Sequence, residues 1–375
     1  MFKTILTIAA LFAMSLLSSF SQTPYGRVLT LDSNGTQQWI YIGTLVGGNG
    51  NYWSLAGNNV SGSEFLGTTN DQPLVFKANL IDAIRIYPVI GAVNIVGGST
   101  YNTIDNGNVA NSVIVVGGTF DYPNWIGSSD GGSNSIIGAG IGNYVDGDNS
   151  GVLTGEFNSV SGYNSSIVSG LYNDVSGYAG FVGAGESISI SSDYSAVVGG
   201  YNNNARAHYT FVGGGRHNTA GYDDGDMYGI NSGILAGAYN ETRGDNSMAI
   251  GTGLSAKSFG EVVVGLYNLD YTPNSQTEYN LNDRLFVVGN GMDWDNLSNA
   301  LVILKNGNTG IGISNPTSLL DLSATNGYEQ LRLRTSYTPS GTADVNGNVG
   351  DVTWDDDYIY VKTSTGWKRA ALSTW

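Results

Sequence analysis

The stretches IVSGLYN (167–173), VVGGYNN (197–203) and ILAGAYN (234–240) are copies of one unit, and this unit decides the fold class. Two or three apolar residues precede a small residue and glycine, and an aromatic residue and asparagine often follow. The leading glycines of successive copies lie at positions 97, 117, 138, 155, 170, 183, 199, 213, 237, 251 and 265, at spacings from 13 to 24 residues. A short unit repeated in this way indicates a chain of similar, stacked coils.

Each part of the unit has a physical role. β-Branched runs such as Val197-Val198 favour a buried strand, and glycine permits the positive φ that a tight corner requires. The asparagines that close the units are predicted to be turn residues that tolerate the left-handed region; they are Asn158, Asn173, Asn202, Asn240 and Asn268.

The alternative to stacked coils is an antiparallel sandwich of many short strands. The recurrence of the same residue types in the same order favours coils, because sandwich strands have no reason to resemble one another. The sequence therefore predicts an all-β fold in which residues 91–270 form a parallel β-solenoid of the glycine-rich β-roll type.

The flanking segments lack the repeat. Residues 23–90 carry alternating runs at 37–44 and 73–79, which predict an N-terminal β-module. Residues 271–334 are predicted to be a β connector that includes an alternating stretch at 317–334. Residues 335–375 are predicted to be a linker followed by a small β-meander.

The first 22 residues have the features of a signal peptide. Lys3 provides the positive charge, and the run from Ile5 to Leu17 is apolar apart from Thr7 and Ser15. That run is short for a membrane span, and no later segment reaches about 18 apolar residues. We expect a secreted protein, extracellular or associated with a cell surface or fibre, without a transmembrane segment in the mature chain.

Composition excludes several classes of function. The 375 residues include 55 Gly and no Cys, which rules out thiol catalysis and cysteine-based metal sites. Lys and Arg total 15 against 31 Asp and Glu, a net charge of −16, and no basic residue occurs between Arg85 and Arg206. Such an acidic surface repels phosphate backbones, so we expect no nucleic-acid partner.

Three stretches of the sequence resemble known fibrous proteins. The repeat resembles the β-roll in the heads of trimeric autotransporter adhesins and in phage tail fibres. WSLAGN (53–58) with FLGTTNDQPLVFKAN (65–79) is similar to a stretch that precedes such rolls. NGNTGIGISNPTSLLDL (306–322) and GDVTWDDDYIYVKTSTGWKRAAL (350–372) are similar to distal parts of tail-fibre-like chains.

The resemblance implies a parallel homotrimer of fibrous shape that attaches to a cell-surface glycan or protein. Two alternatives stay open. One is a polysaccharide-degrading hydrolase like the tailspike enzymes, and the other is a structural filament or shaft that binds no ligand.

Tyrosines that recur near the glycine corners are the candidate ligand-binding residues, because an aromatic side chain on a rigid frame gives a large contact area at a small entropic cost. We single out Tyr163, Tyr172, Tyr201, Tyr239 and Tyr267, and Tyr178, Tyr194 and Tyr209 share the pattern. The alternative is that the rings stack along the solenoid or within a trimer interface.

Signals for catalysis and for metal binding are weak. His208 and His217 are the two histidines, and no nucleophile elbow occurs, so we expect no enzyme activity. Acidic clusters at 146–148, 223–226 and 355–357 could supply oxygen ligands to Ca²⁺. None has the calcium-loop pattern with a distal glutamate, so no cofactor is predicted and structural Ca²⁺ is left open.

Overall fold

The computed structural model describes residues 27–31, 36–41, 65–89, 91–105, 107, 109–127, 131–223 and 227–374. The predicted signal peptide and the WSLAGN stretch lie outside these residues. The chain divides into two compact units, Met1–Thr69 and Asn70–Trp375. In the first unit, strands β1 (Arg27–Leu31) and β2 (Gln37–Tyr41) form an antiparallel pair.

The second unit opens with three antiparallel strands, β3 (Leu74–Ala78), β4 (Ile81–Val89) and β5 (Ala92–Gly97). Strand β5 also pairs in parallel with the next strand of the repeat. The alternating run at 73–79, which the sequence places in an N-terminal module, therefore continues directly into the solenoid sheet.

From β5 onward the chain forms a parallel β-solenoid with two short strands in most coils, which confirms the predicted fold class. One strand of each coil joins what we call the first sheet. After β5 its members are β7 (Val113–Ile114), β9 (Ile136–Ile137), β11 (Gly151–Val152), β13 (Ser166–Ile167), β15 (Phe181–Val182), β17 (Ala196–Val197), β19 (Phe211–Val212), β23 (Gly233–Ala238), β25 (Met248–Thr252), β27 (Val262–Leu266) and β28 (Arg284–Asn290).

The other strand of each coil joins the second sheet. Its members are β6 (Thr103–Ile104), β8 (Trp125–Ile126), β10 (Tyr144–Val145), β12 (Ser159–Val160), β14 (Asp174–Val175), β16 (Ser189–Ile190), β18 (Asn204–Ala205), β20 (Thr219–Ala220), β24 (Glu241–Thr242) and β26 (Ser255–Ala256). Strands β21 (Tyr222–Asp223) and β22 (Met227–Tyr228) form a hairpin inserted in one enlarged coil.

The coil period of the central coils is regular, although the spacing of the leading glycines in the sequence varies. From Ile137 to Val212 the inward-facing residue of the first sheet recurs every 15 residues, and each of these side chains is at most 1% exposed. The equivalent glycines are Gly140, Gly155, Gly170, Gly185, Gly200 and Gly215, all with positive φ. The leading glycine of a unit lies at the corner in some coils and one or two residues before it in others. The spacing of the leading glycines therefore does not equal the period of the central coils.

Two columns of buried polar side chains flank the apolar core. Asn158 is typical of the first column: its Nδ2 donates to Oδ1 of Asn143 (3.0 Å) and to the carbonyl of Gly170 (2.9 Å). In the second column, the hydroxyl of Ser150 donates to the carbonyl of Gly162 (2.9 Å) and accepts the backbone N–H of Ser165 (3.0 Å). These bonds satisfy buried polar groups from coil to coil.

The asparagine column corrects part of the sequence interpretation. Asn158, Asn173, Asn240 and Asn268 are buried, and none has positive φ. The left-handed residue is the one before them, as at Tyr172 (φ 54°) and Tyr239 (φ 57°). Asn202 does have positive φ (50°), because the buried member of its coil is Asn203.

Three strands after β28 close the solenoid. Strand β29 (Asn299–Leu304) pairs antiparallel with β28 and with β30 (Thr309–Ile311), and β30 pairs in parallel with β31 (Leu320–Leu322). The alternating stretch at 317–334 gives only β31 and a 3₁₀ helix at Gly327–Glu329. Strands β32 (Val352–Trp354), β33 (Tyr358–Thr363) and β34 (Gly366–Ala371) form an antiparallel sheet where the sequence places a meander.

Candidate binding surfaces of the solenoid

One corner of the solenoid carries a column of left-handed residues on which aromatic rings recur. This corner column consists of Phe157, Tyr172, Ser187, Asn202, His217, Tyr239 and Tyr267, with φ between 41° and 57°. A left-handed non-glycine residue costs about 1–2 kcal/mol. Each coil offsets part of this cost with a bond to its predecessor, as where the N–H of Tyr239 donates to the carbonyl of Arg216 (3.0 Å).

Adjacent rings of the corner column stack. Phe157 and Tyr172 have ring centroids 5.1 Å apart and nearly parallel planes, and His217 and Tyr239 are 4.7 Å apart. The column therefore contains two stacked aromatic pairs, separated by Ser187 and Asn202, and not the continuous ladder of the alternative interpretation. The rings remain accessible nonetheless, since Tyr172 is 56% and Tyr239 is 40% exposed.

The five predicted binding tyrosines do not form a single site. Tyr172, Tyr239 and Tyr267 share the corner column. Tyr201 lies in the neighbouring column, which is formed by isolated parallel bridges, and its ring contacts His217 edge-on at 5.3 Å. Tyr163 belongs to the other corner, where it precedes the left-handed Asn164.

The other corner has its own aromatic stack. Tyr178, Tyr194 and Tyr209 form it, with Tyr194 and Tyr209 parallel at 5.1 Å. Other coils place Asn149, Asn164 or Asn246 at the left-handed position of this corner.

A further exposed aromatic group includes a residue outside the predicted set. The ring of Trp294 lies 5.3 Å from that of Tyr267 and 6.3 Å from that of Tyr239, edge-on to both. The coil between these tyrosines has Gly253 at the corner position, where a Cβ would lie 2.4 Å from the ring of Tyr267. We refer to Tyr239, Tyr267 and Trp294 as the aromatic cluster.

Trp294 is held by a loop that is itself tied to the last coils. The N–H of Ser298 donates to the carbonyl of Tyr267 (3.1 Å), and the N–H of Gly291 donates to that of Leu266 (3.0 Å). Within the loop, the carboxylate of Asp293 accepts the backbone N–H of Asp295 (3.0 Å). The aromatic cluster is thus a preorganised surface, although Trp294 is 57% exposed.

The outward sides of the two sheets differ in polarity. From β9 to β25, each coil has at least one bulky apolar side chain that points outward beside the inward-facing residue of its first-sheet strand. These side chains are 36% to 56% exposed and belong to Ile136, Leu153, Val168, Phe181, Val198, Phe211, Leu235, Met248 and Ile250. We call this the apolar face. From β12 onward the second sheet instead presents polar or small side chains outward, for example Ser159, Asp174, Ser189 and Asn204.

A buried charged cluster lies beneath the last coil. Glu261 takes the place of a serine in the second column of buried polar side chains, which contains Ser150 and Ser165, and it is fully buried. Its Oε2 accepts the backbone N–H groups of Lys257 (2.8 Å) and Ser258 (2.9 Å). The ammonium of Lys305 donates to the hydroxyl of Ser258 (2.9 Å) and to the carbonyl of Arg284 (3.0 Å).

Burial raises the pKa of Glu261 to about 7, against the lowering effects of those two hydrogen bonds and of the nearby Arg284 and Lys305 charges. Its Oε1 has no hydrogen-bond partner within the described chain. These groups join the solenoid to its closing strands.

Metal ligation finds no support in the described ranges, where no three His, Cys, Asp or Glu side chains converge on a common point. Most of the 223–226 cluster falls outside those ranges. Within the described residues, no helix has the length and apolar character of a membrane span.

Comparison with known proteins leaves the family of this chain open. No protein-family model matches it, and no curated protein matches it significantly. The similarity to fibre proteins therefore remains a prediction drawn from the motifs, and function has to be argued from the surfaces themselves.

Proposed function

We propose that this chain is a secreted, non-enzymatic fibre protein that attaches to a cell-surface glycan or protein. The observation that carries the proposal is the aromatic cluster of Tyr239, Tyr267 and Trp294 on a rigid scaffold. Exposed Tyr and Trp side chains that are already ordered provide binding area at a small entropic cost. The other exposed rings of the corner column, such as Tyr172, extend this surface along the solenoid.

The scaffold suits an attachment role. Bonds such as that from Asn158 to Asn143 repeat through the interior, so each coil is fixed by its neighbours. A parallel solenoid also holds its surface residues about 4.8 Å apart from coil to coil. A repetitive ligand such as a surface polysaccharide can contact several coils at once, and this multivalency increases avidity.

The proposal includes assembly as a homotrimer. Soluble monomers rarely expose contiguous apolar patches larger than a few hundred Å², whereas the apolar face extends over successive coils from Ile136 to Ile250. A partner for this face needs the same coil-to-coil spacing, and a second copy of this chain has it. Three-fold symmetry is what the motif resemblance implies.

The test uses a substitution that the fold already accommodates. Asn202 stands in the corner column, so Tyr239→Asn and Tyr267→Asn remove rings without changing the backbone requirement. We expect the double variant combined with Trp294→Ala to bind a glycan array and intact cells at least tenfold more weakly. Asn246→Ala is the matched control at the other corner, where Ala179 is already accepted.

Two outcomes would contradict the proposal. Absence of wild-type binding to every glycan and to all cells tested would favour the structural filament. Release of reducing ends from a bound polysaccharide, lost on substitution of an Asp or Glu residue, would identify a hydrolase instead.

A further inference from the structure

The aromatic rings of the corner column lean toward the preceding coil. A Cβ at Gly142 would lie 2.6 Å from the ring of Phe157, and a Cβ at Gly253 would lie 2.4 Å from the ring of Tyr267. Each of these rings therefore lies over the corner of the coil before it. Where two successive coils both carry a ring, the second ring covers the face of the first that is directed toward the C-terminal coils.

Tyr172 has no ring on this face. Phe157 is covered by Tyr172, with ring centroids 5.1 Å apart and planes 12° from parallel, and is partly buried. The next coil carries Ser187 in the same left-handed conformation (φ 56°), and no ring of the described residues stacks on Tyr172 from that side. Tyr172 is accordingly 56% exposed. The corner column therefore has an open position at Ser187, which we call the Ser187 slot.

The Ser187 slot has room for one six-membered ring. Tyr172 lies on one side of it, and Asn202, two coils further along the column, lies on the other. Successive coils are about 4.8 Å apart, so these two residues are about 10 Å apart along the solenoid axis. Because atoms in contact lie about 3.5–4.0 Å apart, the ring of a ligand can pack on Tyr172 and still fit beside Asn202.

Three polar side chains flank the slot. The hydroxyl of Ser187 lies at its base. Asn202 donates its amide nitrogen to Nδ1 of His217 (3.0 Å), which leaves its Oδ1 to accept a hydrogen bond from a ligand. Glu186 lies in the neighbouring column of parallel bridges, whose side chains reach the corner column, as the contact between Tyr201 and His217 shows. These oxygen atoms suit a ligand with several hydroxyl groups.

The charge around the slot disfavours an anionic ligand. Glu186 is exposed and forms no ion pair with any described residue. Glu156 lies two coils before it in the same column of bridges. Arg216 lies two coils after it, and its guanidinium is 5.5 Å from the ring centroid of Tyr239. A carboxylate or sulfate group in the slot would therefore meet a charge of its own sign.

We propose that the Ser187 slot binds one neutral pyranose unit of a polysaccharide, a proposal that rests on the glycan-binding role proposed above. The C–H groups of the sugar ring pack on the free face of Tyr172, and the carboxylate of Glu186 accepts hydrogen bonds from sugar hydroxyls. The slot is four coils, or about 19 Å, from Tyr239 of the aromatic cluster. One polysaccharide chain can therefore reach both sites, which increases avidity.

The experiment titrates the full chain with hexasaccharides of glucose, mannose and galactose, and with hexagalacturonate as the acidic counterpart, by calorimetry and ligand-observed NMR. We expect at least one neutral hexasaccharide to bind, and hexagalacturonate to bind at least tenfold more weakly. Tyr172→Asn should weaken neutral binding at least tenfold, because it removes the ring and introduces a residue that the column already accepts at Asn202. The same change at the other corner, Tyr209→Asn, should alter binding less than twofold.

A second variant fills the slot without removing a ring. Ser187→Tyr places a ring against the free face of Tyr172, and the corner column accepts left-handed tyrosine at Tyr172 and Tyr239 (φ 54° and 57°). Binding should be lost while the thermal unfolding midpoint does not fall. Asn164→Tyr adds a ring at the other corner, which accepts Tyr194, and should keep full binding. No binding of any neutral hexasaccharide, equal binding of hexagalacturonate, or full binding by Ser187→Tyr would overturn the inference.

The two proposals fail separately. Cell attachment that depends on the aromatic cluster and survives Ser187→Tyr would refute the slot and leave the attachment role standing. Hexasaccharide binding that is lost in Ser187→Tyr, in a protein that attaches to no intact cell, would do the reverse.

Discussion

Asn173 shows how a single buried side chain supports the solenoid. Its Nδ2 donates to Oδ1 of Asn158 (2.9 Å) and to the carbonyl of Gly185 (3.0 Å), while its own Oδ1 accepts the N–H of Ile188 (3.0 Å). Asn173→Ala leaves these groups buried without partners, and each such group costs about 1–3 kcal/mol. We expect a loss of several kcal/mol in the free energy of unfolding, measured by chemical denaturation. Asn164→Ala, which is exposed, should cost under about 1 kcal/mol, and equal losses in both variants would contradict the role of the column.

Gly170 tests the close approach of successive coils. Its φ is +135°, and a Cβ there would lie 2.2 Å from both Nδ2 of Asn173 and the carbonyl oxygen of Gly185. Gly170→Ala should therefore destabilise the protein severely, by more than about 4 kcal/mol, or prevent folding. Gly327→Ala meets no atom within 4 Å and should leave the thermal midpoint nearly unchanged. A wild-type midpoint for Gly170→Ala would show that the coils can separate.

Glu261 gives the protein a defined pH dependence. Its pKa is about 7 in the folded state and near the ordinary glutamate value of 4.5 in the unfolded state. Between these values the folded state retains a proton that the unfolded state has lost, so this group's contribution to stability falls as pH rises from about 4.5 to 7. At 1.36 kcal/mol per pKa unit, the change is roughly 3 kcal/mol.

The measurement compares the wild type with Glu261→Gln by denaturant unfolding at pH 4.5 and pH 8. Glutamine cannot ionise, so the variant should gain stability relative to the wild type as pH rises. A constant difference between the two proteins across this range would show that Glu261 does not titrate in it.

Residue types alone could predict some of these roles and not others. The inward Val and Ile of each unit are recognisable because apolar pairs before glycine repeat. The roles of Tyr172 and Asn173 could not be separated, since both follow the corner glycine and either can be left-handed. Trp294 lies outside the repeat, and only the three-dimensional path of its loop brings it between Tyr239 and Tyr267.

At the level of the element, one complete coil is the structural unit that can be inserted or deleted without disturbing the rest of the solenoid. Strands β11 to β19 are related by shifts of 15 residues with unchanged register. Each coil contacts its two neighbours, so stability is approximately a sum over coils and their interfaces. This architecture could be predicted because the repeat is visible in the sequence, but the true period required knowing which glycine occupies the corner.

Deletion of one complete coil tests this description. Removal of residues 166–180 should preserve the inward and outward alternation, so the variant should fold cooperatively with a modestly lower midpoint by circular dichroism. Removal of residues 166–172 shifts the following strands out of phase with the core and should give an unfolded or aggregated product. Equal behaviour of the two deletions would refute the coil as the structural unit.

For the whole molecule, the contrast in polarity between the two sheets indicates which face would be shared between copies in the proposed trimer. The second sheet presents polar residues such as Ser159 and Asp174 to solvent, whereas the apolar face would remain exposed in an isolated chain. Burying apolar surface contributes about 25 cal/mol per Å², and the coil period makes the faces of parallel copies complementary along their length. The proposed association through this face would also leave the polar side of each solenoid in contact with solvent.

The proposed homotrimer predicts that charges on the apolar face separate the chains. Val198→Asp with Leu235→Asp places two carboxylates where apolar contact is expected, and both positions are outward and nearly half exposed, so folding should persist. Light scattering coupled to size-exclusion chromatography should give three chains for the wild type and one for the variant. Ser189→Asp on the second sheet is the matched control and should remain trimeric. A monomeric wild type over a wide concentration range, or a variant that stays trimeric, would refute assembly through the apolar face.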